Sequence, residues 1–202
     1  MVICTIGHST RSLDELVELL RAHHVGRLAD IRTVPRSRRY PHFSADALGV
    51  SLPAQGIAYR HFPGLGGLRK PRKDSRNGAW RHEGFRGYAD YMETAAFRDA
   101  LTDLIDWGGD GAEIPPTSRG PGPSTSLGPG PVTSLGPGPG LHTAIMCAEA
   151  VWWRCHRQLT ADALLARGID VRHITSTAAA AAHKLTEFAR VADGQVQYPG
   201  LV

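Results

Sequence analysis

Three short apolar runs in this 202-residue chain end on side chains that could do chemistry. Val2–Ile6 runs into Gly7-His8-Ser9-Thr10, Leu28-Ala29 runs into Asp30-Ile31-Arg32, and His142–Met146 runs into Cys147-Ala148-Glu149. Arg154-Cys155-His156-Arg157 follows shortly after the third. The catalytic candidates are two carboxylates, Asp30 and Glu149, and two imidazoles, His8 and His156. A carboxylate can stabilise a cationic sugar or activate water, and an imidazole can protonate a leaving group. Asp30 and Arg32 stand two residues apart and share a face of an extended chain, which serves either a structural ion pair or an ionised catalytic Asp30. Trp152 and Trp153 would bury Glu149 and raise its pKa for acid catalysis; alternatively they belong to the core and Glu149 pairs with Arg154 or Arg157. Cys147, at a strand end near arginines and a helix start, is placed as a thiolate nucleophile would be, although Glu149 opposes thiolate formation and packing is the competing role. Ser9 precedes a helix, where backbone N–H groups can meet an anion, or it satisfies the turn.

Other chemistries are disfavoured. Cys147, Cys155 and His156 are the nearest thing to a zinc set, but an adjacent Cys-His rarely reaches one metal and no C-x-x-C pair exists, so no metal is expected. No G-x-S-x-G elbow marks a serine hydrolase. Neither a metal nor an organic cofactor is needed.

Charge points to a partner. Residues 32–86 carry 12 of the 23 Lys and Arg residues and only three acids, a window of +9, and the remainder of the chain is −5. Such segregation suits a localised polyanion-binding surface. The expected phosphate contacts are Arg36, Arg38 and Arg39 in one loop, and Arg69, Lys70, Arg72 and Lys73 in another. Aromatic residues are interleaved with them, and rings stack on bases while cations neutralise phosphates. The substrate-binding set is Ser9, Arg32, Tyr59, Trp80, Tyr88, Cys147 and Arg157.

The elements that must position these residues alternate. Val2–Ile6 reads as a buried strand, and Ser12-Leu13-Asp14-Glu15 is a capping-box pattern opening a helix. Leu28–Ile31 is a second strand, 33–43 a proline-marked loop, and Ser44 caps a helix that Pro53 should end early. Ile57–His61 is a third strand and 62–86 a long loop. Tyr88–Trp107 reads as one amphipathic helix. His142–Cys147 and Val171–Ile174 are further strands, with a helix from Cys155 or His156 to Gly168 between them. The alanine tract 178–182 leads towards a surface helix, and 195–199 reads as a late edge strand. Strand and helix alternation of this kind predicts an α/β, three-layer sandwich around a mostly parallel sheet of about five strands, Rossmann-like or flavodoxin-like. Sites in such sheets gather beyond the carboxyl ends of the strands, where all three reactive stretches fall.

The segment 108–140 differs from the rest. Eighteen of its 33 residues are Gly or Pro, and GPGPSTSL at 120–127 repeats as GPGPVTSL at 128–135. It reads as a flexible, solvent-exposed insertion in a single α/β domain spanning 1–202. At 42% hydrophobic and 21% charged, the chain is globular in composition. No apolar run approaches a membrane span, the opening residues lack a secretion-signal pattern, and three cysteines do not make a disulfide framework, so a cytoplasmic location is expected.

TIGHSTRSLDELVELL at 5–20, DIRTVPRSRR at 30–39, GIAYRHFPGLGGLRKPRKDSRNGAWRHEGFRGYADY at 56–91 and MCAEAVWWRCHRQLTADAL at 146–164 resemble the bacterial family known as domain of unknown function 488 (DUF488). The resemblance covers nearly everything outside 108–140, which departs from the family pattern. It implies the same α/β domain, and it points to His8, Ser9, Asp30, Arg32, Cys147, Glu149, Cys155, His156 and Arg157 as motif positions. The family name records no activity.

The leading expectation is an enzyme acting on DNA or a related nucleic acid, namely a DNA glycosylase that flips out and excises a modified or damaged base. The alternatives are a cysteine-dependent sulfur-transfer enzyme, rhodanese-like and using Cys147, and a nucleic-acid-binding module without catalysis.

Overall fold

The computed structural model describes residues 1–109 and 141–200. The insertion expected at 108–140 therefore lies, apart from Gly108 and Gly109, outside the described residues. Five strands run parallel: β1 (Val2–Gly7), β2 (Val25–Asp30), β3 (Ala58–His61), β4 (His142–Cys147) and β5 (Asp170–His173). A two-residue strand, β6 (Ala181–Ala182), closes one edge antiparallel to β5. The spatial order is β3-β2-β4-β1-β5-β6. The expected three-layer sandwich is present, but its strand order is neither the Rossmann order nor the flavodoxin one.

Helices cover both faces because successive side chains of a buried strand point to opposite sides. On one face, Cys4, Ile6, Leu28, Ala144 and Met146 meet α1 (Leu13–Ala22) and α2 (Ala45–Ala54). On the other, Ile3, Ala29, Ile145 and Val171 meet α3 (Glu83–Met92), α4 (Ala95–Gly108) and α5 (Arg157–Leu165), with Val196 and Tyr198 from the C-terminal region. The capping box at Ser12 and Glu15 forms in both directions. Pro53 sits in the last turn of α2, which ends one residue later at Ala54, because proline offers no N–H to carry the intrahelical ladder further.

Four details depart from the sequence reading. The single helix expected from Tyr88 to Trp107 is two, because Thr94 caps α4 through the amide of Phe97 and breaks the run. No surface helix forms at 183–188; His183 and Thr186 are instead buried in a polar network. The alanine tract supplies β6 rather than a loop. Gln195–Gln197 pairs with Arg190–Ala192 in a separate hairpin, β7–β8, away from the main sheet.

Topology places the site. After β1 and β2 the chain passes to helices on one face; after β4 it passes to α5 on the other. β4 lies between β1 and β2, so connections diverge on both sides of its carboxyl end and leave a crevice there. Gly7 lets the loop after β4 come close, since a Cβ there would overlap the Glu149 carbonyl.

Candidate active site

Two cavities open side by side over the end of β4. One, about 410 Å³, is lined by Arg32, Val34, Gly67, Leu68, His82, Phe85, Cys147, Glu149, Arg154, Cys155 and His156, among others. The other, about 510 Å³, is lined by His8, Ser9, Thr10, Arg32, Val34, Arg36, Ser37, Arg39, Tyr40 and Glu149, among others. Arg32, Val34, Ala148 and Glu149 form the shared wall.

Arg32 is fixed from several sides. Its guanidinium meets the fully buried Asp30 carboxylate through Nε–Oδ1 at 2.8 Å and Nη2–Oδ2 at 2.5 Å. Nη2 also donates to the Phe43 carbonyl at 2.8 Å, and Nη1 lies 3.3 Å from His8 Nε2. Asp30 further accepts from the Arg32 amide and from the Tyr59 hydroxyl. The carboxylate expected to act on substrate thus reaches neither cavity; it neutralises and orients Arg32. Tyr59, expected to bind substrate, spends its hydroxyl on Asp30.

His8 is committed as well. Nδ1 donates to the Ser9 carbonyl at 3.0 Å, which leaves Nε2 unprotonated to accept from Arg32. Burial and the neighbouring Arg32 charge push its pKa down to about 4, and its ring stacks on Phe43 at 4.3 Å. A neutral His8 with both nitrogens engaged is no proton donor for a leaving base. Ser9 takes a left-handed conformation, φ 51°, and its amide bonds the Ala148 carbonyl, so it joins the loops after β1 and β4.

The thiols lie at the other end of the crevice. From Cys147 the chain makes a seven-residue excursion and returns at Cys155. Arg157, almost fully buried, donates to the carbonyls of Glu149 and Ala150. Trp152 lies flat on His173, with centroids 3.8 Å apart and 5° between planes, and the Cys155 amide closes on the Trp152 carbonyl. Cys147 Sγ and Cys155 Sγ are 2.6 Å apart, and His156 Nδ1 is 3.4 Å from Cys155 Sγ. His156 Nε2 donates to the Ile31 carbonyl at 2.9 Å, which leaves Nδ1 free to take the Cys155 proton. Burial raises the Cys155 thiol, but hydrogen bonds from Cys147 and His156 and the charges of His156 and Arg157 outweigh it, and its pKa falls well below the ordinary thiol value. Burial, then the hydrogen bond and charge of Cys155, push Cys147 well above it. The pair is thus asymmetric, with the thiolate favoured at Cys155 and the thiol at Cys147, and sequence reasoning had not counted Cys155 among its catalytic candidates. The available signal was its neighbour: a Cys-His pair at a helix start is a thiol beside its base.

The other expected site residues divide. Glu149 is exposed at the mouth of both cavities; the tryptophans do not bury it, since Trp152 covers His173 and Trp153 is exposed. Arg157 holds a loop rather than a substrate. Trp80 packs among Phe85, Phe188 and Tyr198, and reaches the pocket only through Phe85, on which it stacks. Tyr88 is fully buried, bonding the Leu65 carbonyl and Thr160. Arg36, Arg38 and Arg39 are exposed, with Arg36 and Arg39 on the second cavity. The second basic loop faces neither cavity: Arg69 covers the Tyr91 ring and Arg72 pairs with Glu93, while Lys70 and Lys73 are exposed. Among the described residues no group of three or more His, Cys, Asp or Glu side chains could hold a metal.

A separate buried chain of hydrogen bonds runs from Thr5 through His173 and His183 to Asp162, at 2.8, 3.0 and 2.8 Å. Asp162 also accepts from Thr186 and Tyr198. The chain ties β1 and β5 to α5 and holds the surface against which Trp152 rests. Burial, then the His183 and Arg157 charges, lower His173 to about 3.

An α/β domain with a thiol–imidazole pair at its switch point is the class that this fold and site define. The chain belongs to the family of the domain of unknown function DUF488, whose model matches residues 12–114. No curated protein and no solved structure matches the chain. Among the described residues no helix is long and apolar enough to cross a membrane.

Two expectations follow. Asp30→Asn leaves Arg32 buried without its counter-charge, so it lowers unfolding free energy by about 3–5 kcal/mol in urea titration; a catalytic Asp30 would instead lose activity at unchanged stability. His8 and His173 have folded pKa values of about 4 and about 3, below the ordinary 6.5. Their contribution to stability is complete above the unfolded value and is lost as pH falls through the folded ones. Between pH 6.5 and 5, stability should drop by up to about 1.4 kcal/mol per pH unit for each histidine. A flat denaturant midpoint across that window would show that neither ring is held neutral.

Proposed function

We propose that the chain is a cysteine-dependent sulfur-transfer enzyme with Cys155 as its nucleophile. The observation that carries this reading is the placement of Cys155 Sγ between Cys147 Sγ and His156 Nδ1 on the wall of a 410 Å³ pocket. His156 takes the thiol proton at Nδ1, and the thiolate and imidazolium pair within a partly desolvated site. Arg154 on the same wall, with Arg36 and Arg39 in the adjoining cavity, suits an anionic sulfane-sulfur donor. The thiolate attacks the outer sulfur of a donor such as thiosulfate; a new S–S bond forms, the donor's S–S bond breaks, and sulfite departs with the electron pair. Cys155 is left as a persulfide, and a nucleophilic acceptor that takes the outer sulfur restores the thiolate. Gly67 lies against the His156 ring, where a Cβ would collide with Nδ1, so the imidazole has one seat. Mass spectrometry after thiosulfate treatment tests the reading. With Cys147 replaced by Ser, so that Cys155 is the one thiol left at the pocket, the chain should gain one sulfur atom on Cys155, adding Cys155→Ser should abolish the gain, and adding His156→Gln should slow it about 10²-fold. Unchanged sulfur uptake by Cys155→Ser would refute it.

A second reading, action on nucleic acid, is favoured by the exposed Arg36, Arg38 and Arg39 beside the cleft. In its base-excising form it rests on Glu149 and His156, since Asp30 and His8 are committed to Arg32. Binding of a DNA oligonucleotide should weaken steeply with added salt, and replacing the three arginines by Ala should flatten that slope by about three counterions. An unchanged slope would remove this loop from any polyanion surface.

A further inference from the structure

We infer that Cys147 is a resolving thiol: it discharges the Cys155 persulfide as hydrosulfide and leaves a Cys147–Cys155 disulfide that an external thiol must reduce. The inference rests on the sulfur-transfer reading and adds to it a second catalytic cysteine, an inorganic product and a requirement for reductant.

Reach comes first. Among the three cysteines, Cys155 alone lies within bonding approach of Cys147, at 2.6 Å. Cys4 is excluded by register: Gly7 stands opposite Cys147 in the β1–β4 ladder and Cys4 opposite Ala144, so Cys4 lies three residues along the sheet, about 10 Å away. It also faces the α1–α2 layer. The fold is built to bring positions 147 and 155 together, because Arg157 gathers the intervening carbonyls and Trp152 is clamped on His173.

The two thiols also differ as the chemistry requires. Cys155 has the base, His156, beside it; among the described residues no imidazole hydrogen-bonds to Cys147, whose burial favours the protonated thiol. The first step therefore falls to Cys155 and the second to Cys147. Both line the same pocket, so a sulfur atom added to Cys155 stays beside the second thiol.

The step balances. Cys147 Sγ attacks Cys155 Sγ, the inner sulfur of the persulfide. The Cys147–Cys155 bond forms and the bond to the outer sulfur breaks. The outer sulfur leaves with the electron pair and carries away the Cys147 proton as hydrosulfide. The sulfane sulfur is reduced and the two cysteines are oxidised. A dithiol reductant then opens the disulfide by two exchange reactions and is itself oxidised.

The experiment is a single turnover with thiosulfate, without reductant, followed by sulfide measurement and peptide mapping under non-reducing conditions. The wild-type chain should release close to one sulfide per chain and yield a Cys147–Cys155 cross-linked peptide. Cys147→Ser should keep the persulfide on Cys155 and release at least about tenfold less sulfide. Cys147→Ala repeats the test with no hydroxyl at that position, and circular dichroism establishes that each variant is folded. Adding dithiothreitol should restore repeated turnover in the wild type. Persulfide on Cys155 that persists equally in wild type and both variants would overturn the resolving role while leaving Cys155 as the nucleophile. No persulfide in Cys147→Ser or Cys147→Ala, with no sulfide from the wild type, would overturn both. A disulfide to Cys4 would overturn the pairing.

Discussion

The buried ion pair between Asp30 and Arg32 is the constraint on which the rest of the site depends. Its contribution to stability is modest at best, because desolvating two charges offsets their attraction. Its value is positional. Arg32 bonds the Phe43 carbonyl and His8, and Asp30 bonds Tyr59, so one pair fixes the end of β2, the loop after it, the loop after β1 and the side of β3. The residue between them, Ile31, points to the opposite face and offers its carbonyl to His156 Nε2. That bond sets which imidazole nitrogen faces Cys155. Three consecutive residues at the end of one strand thus orient both the wall shared by the cavities and the base of the thiol pair.

The thiol pair in turn depends on a loop whose carbonyls Arg157 gathers. Arg157 starts α5 and reaches back to the carbonyls that follow β4. Its guanidinium does what an ordered water would otherwise do in a crevice of this kind. The excursion ends where it began, beside Cys147. The charge of Arg157 favours the thiolate form of Cys155, and Arg154 lies on the pocket wall, while Glu149 stays out at the rim.

The strands β1, β2 and β4 and the reactive stretches at their ends were legible in the sequence, because each is a mostly apolar, buried run that leads into polar residues. The capping box at Ser12 and the Ser44 cap were legible for the same local reason. What failed was non-local. Asp30 and Glu149 both end strands, yet one is sealed beneath Arg32 and the other lies in solvent, a difference decided by Phe43, Tyr59 and the course of the next loop. Trp80 and Tyr88 lie in or beside a basic segment and read as stacking platforms, but their rings complete the core between α3 and the C-terminal region. The second basic loop turned Arg69 to Tyr91 and Arg72 to Glu93, and left Lys70 and Lys73 exposed. Cys147 attracted attention because strand ends carry nucleophiles; the proposed sulfur-transfer reading gives that role to its neighbour across the loop, since Cys155 has His156 beside it.

The central claim is that Cys155 is a thiolate maintained by His156. The most direct measurement is the pH dependence of Cys155 alkylation by iodoacetamide, followed by peptide mass spectrometry in the wild type and in His156→Gln. The account predicts that Cys155 is modified before Cys147 and Cys4, with an apparent pKa below the ordinary thiol value of about 8.5, and that His156→Gln moves that pKa upward. Modification of Cys147 ahead of Cys155, or a Cys155 profile identical in both proteins, would contradict it.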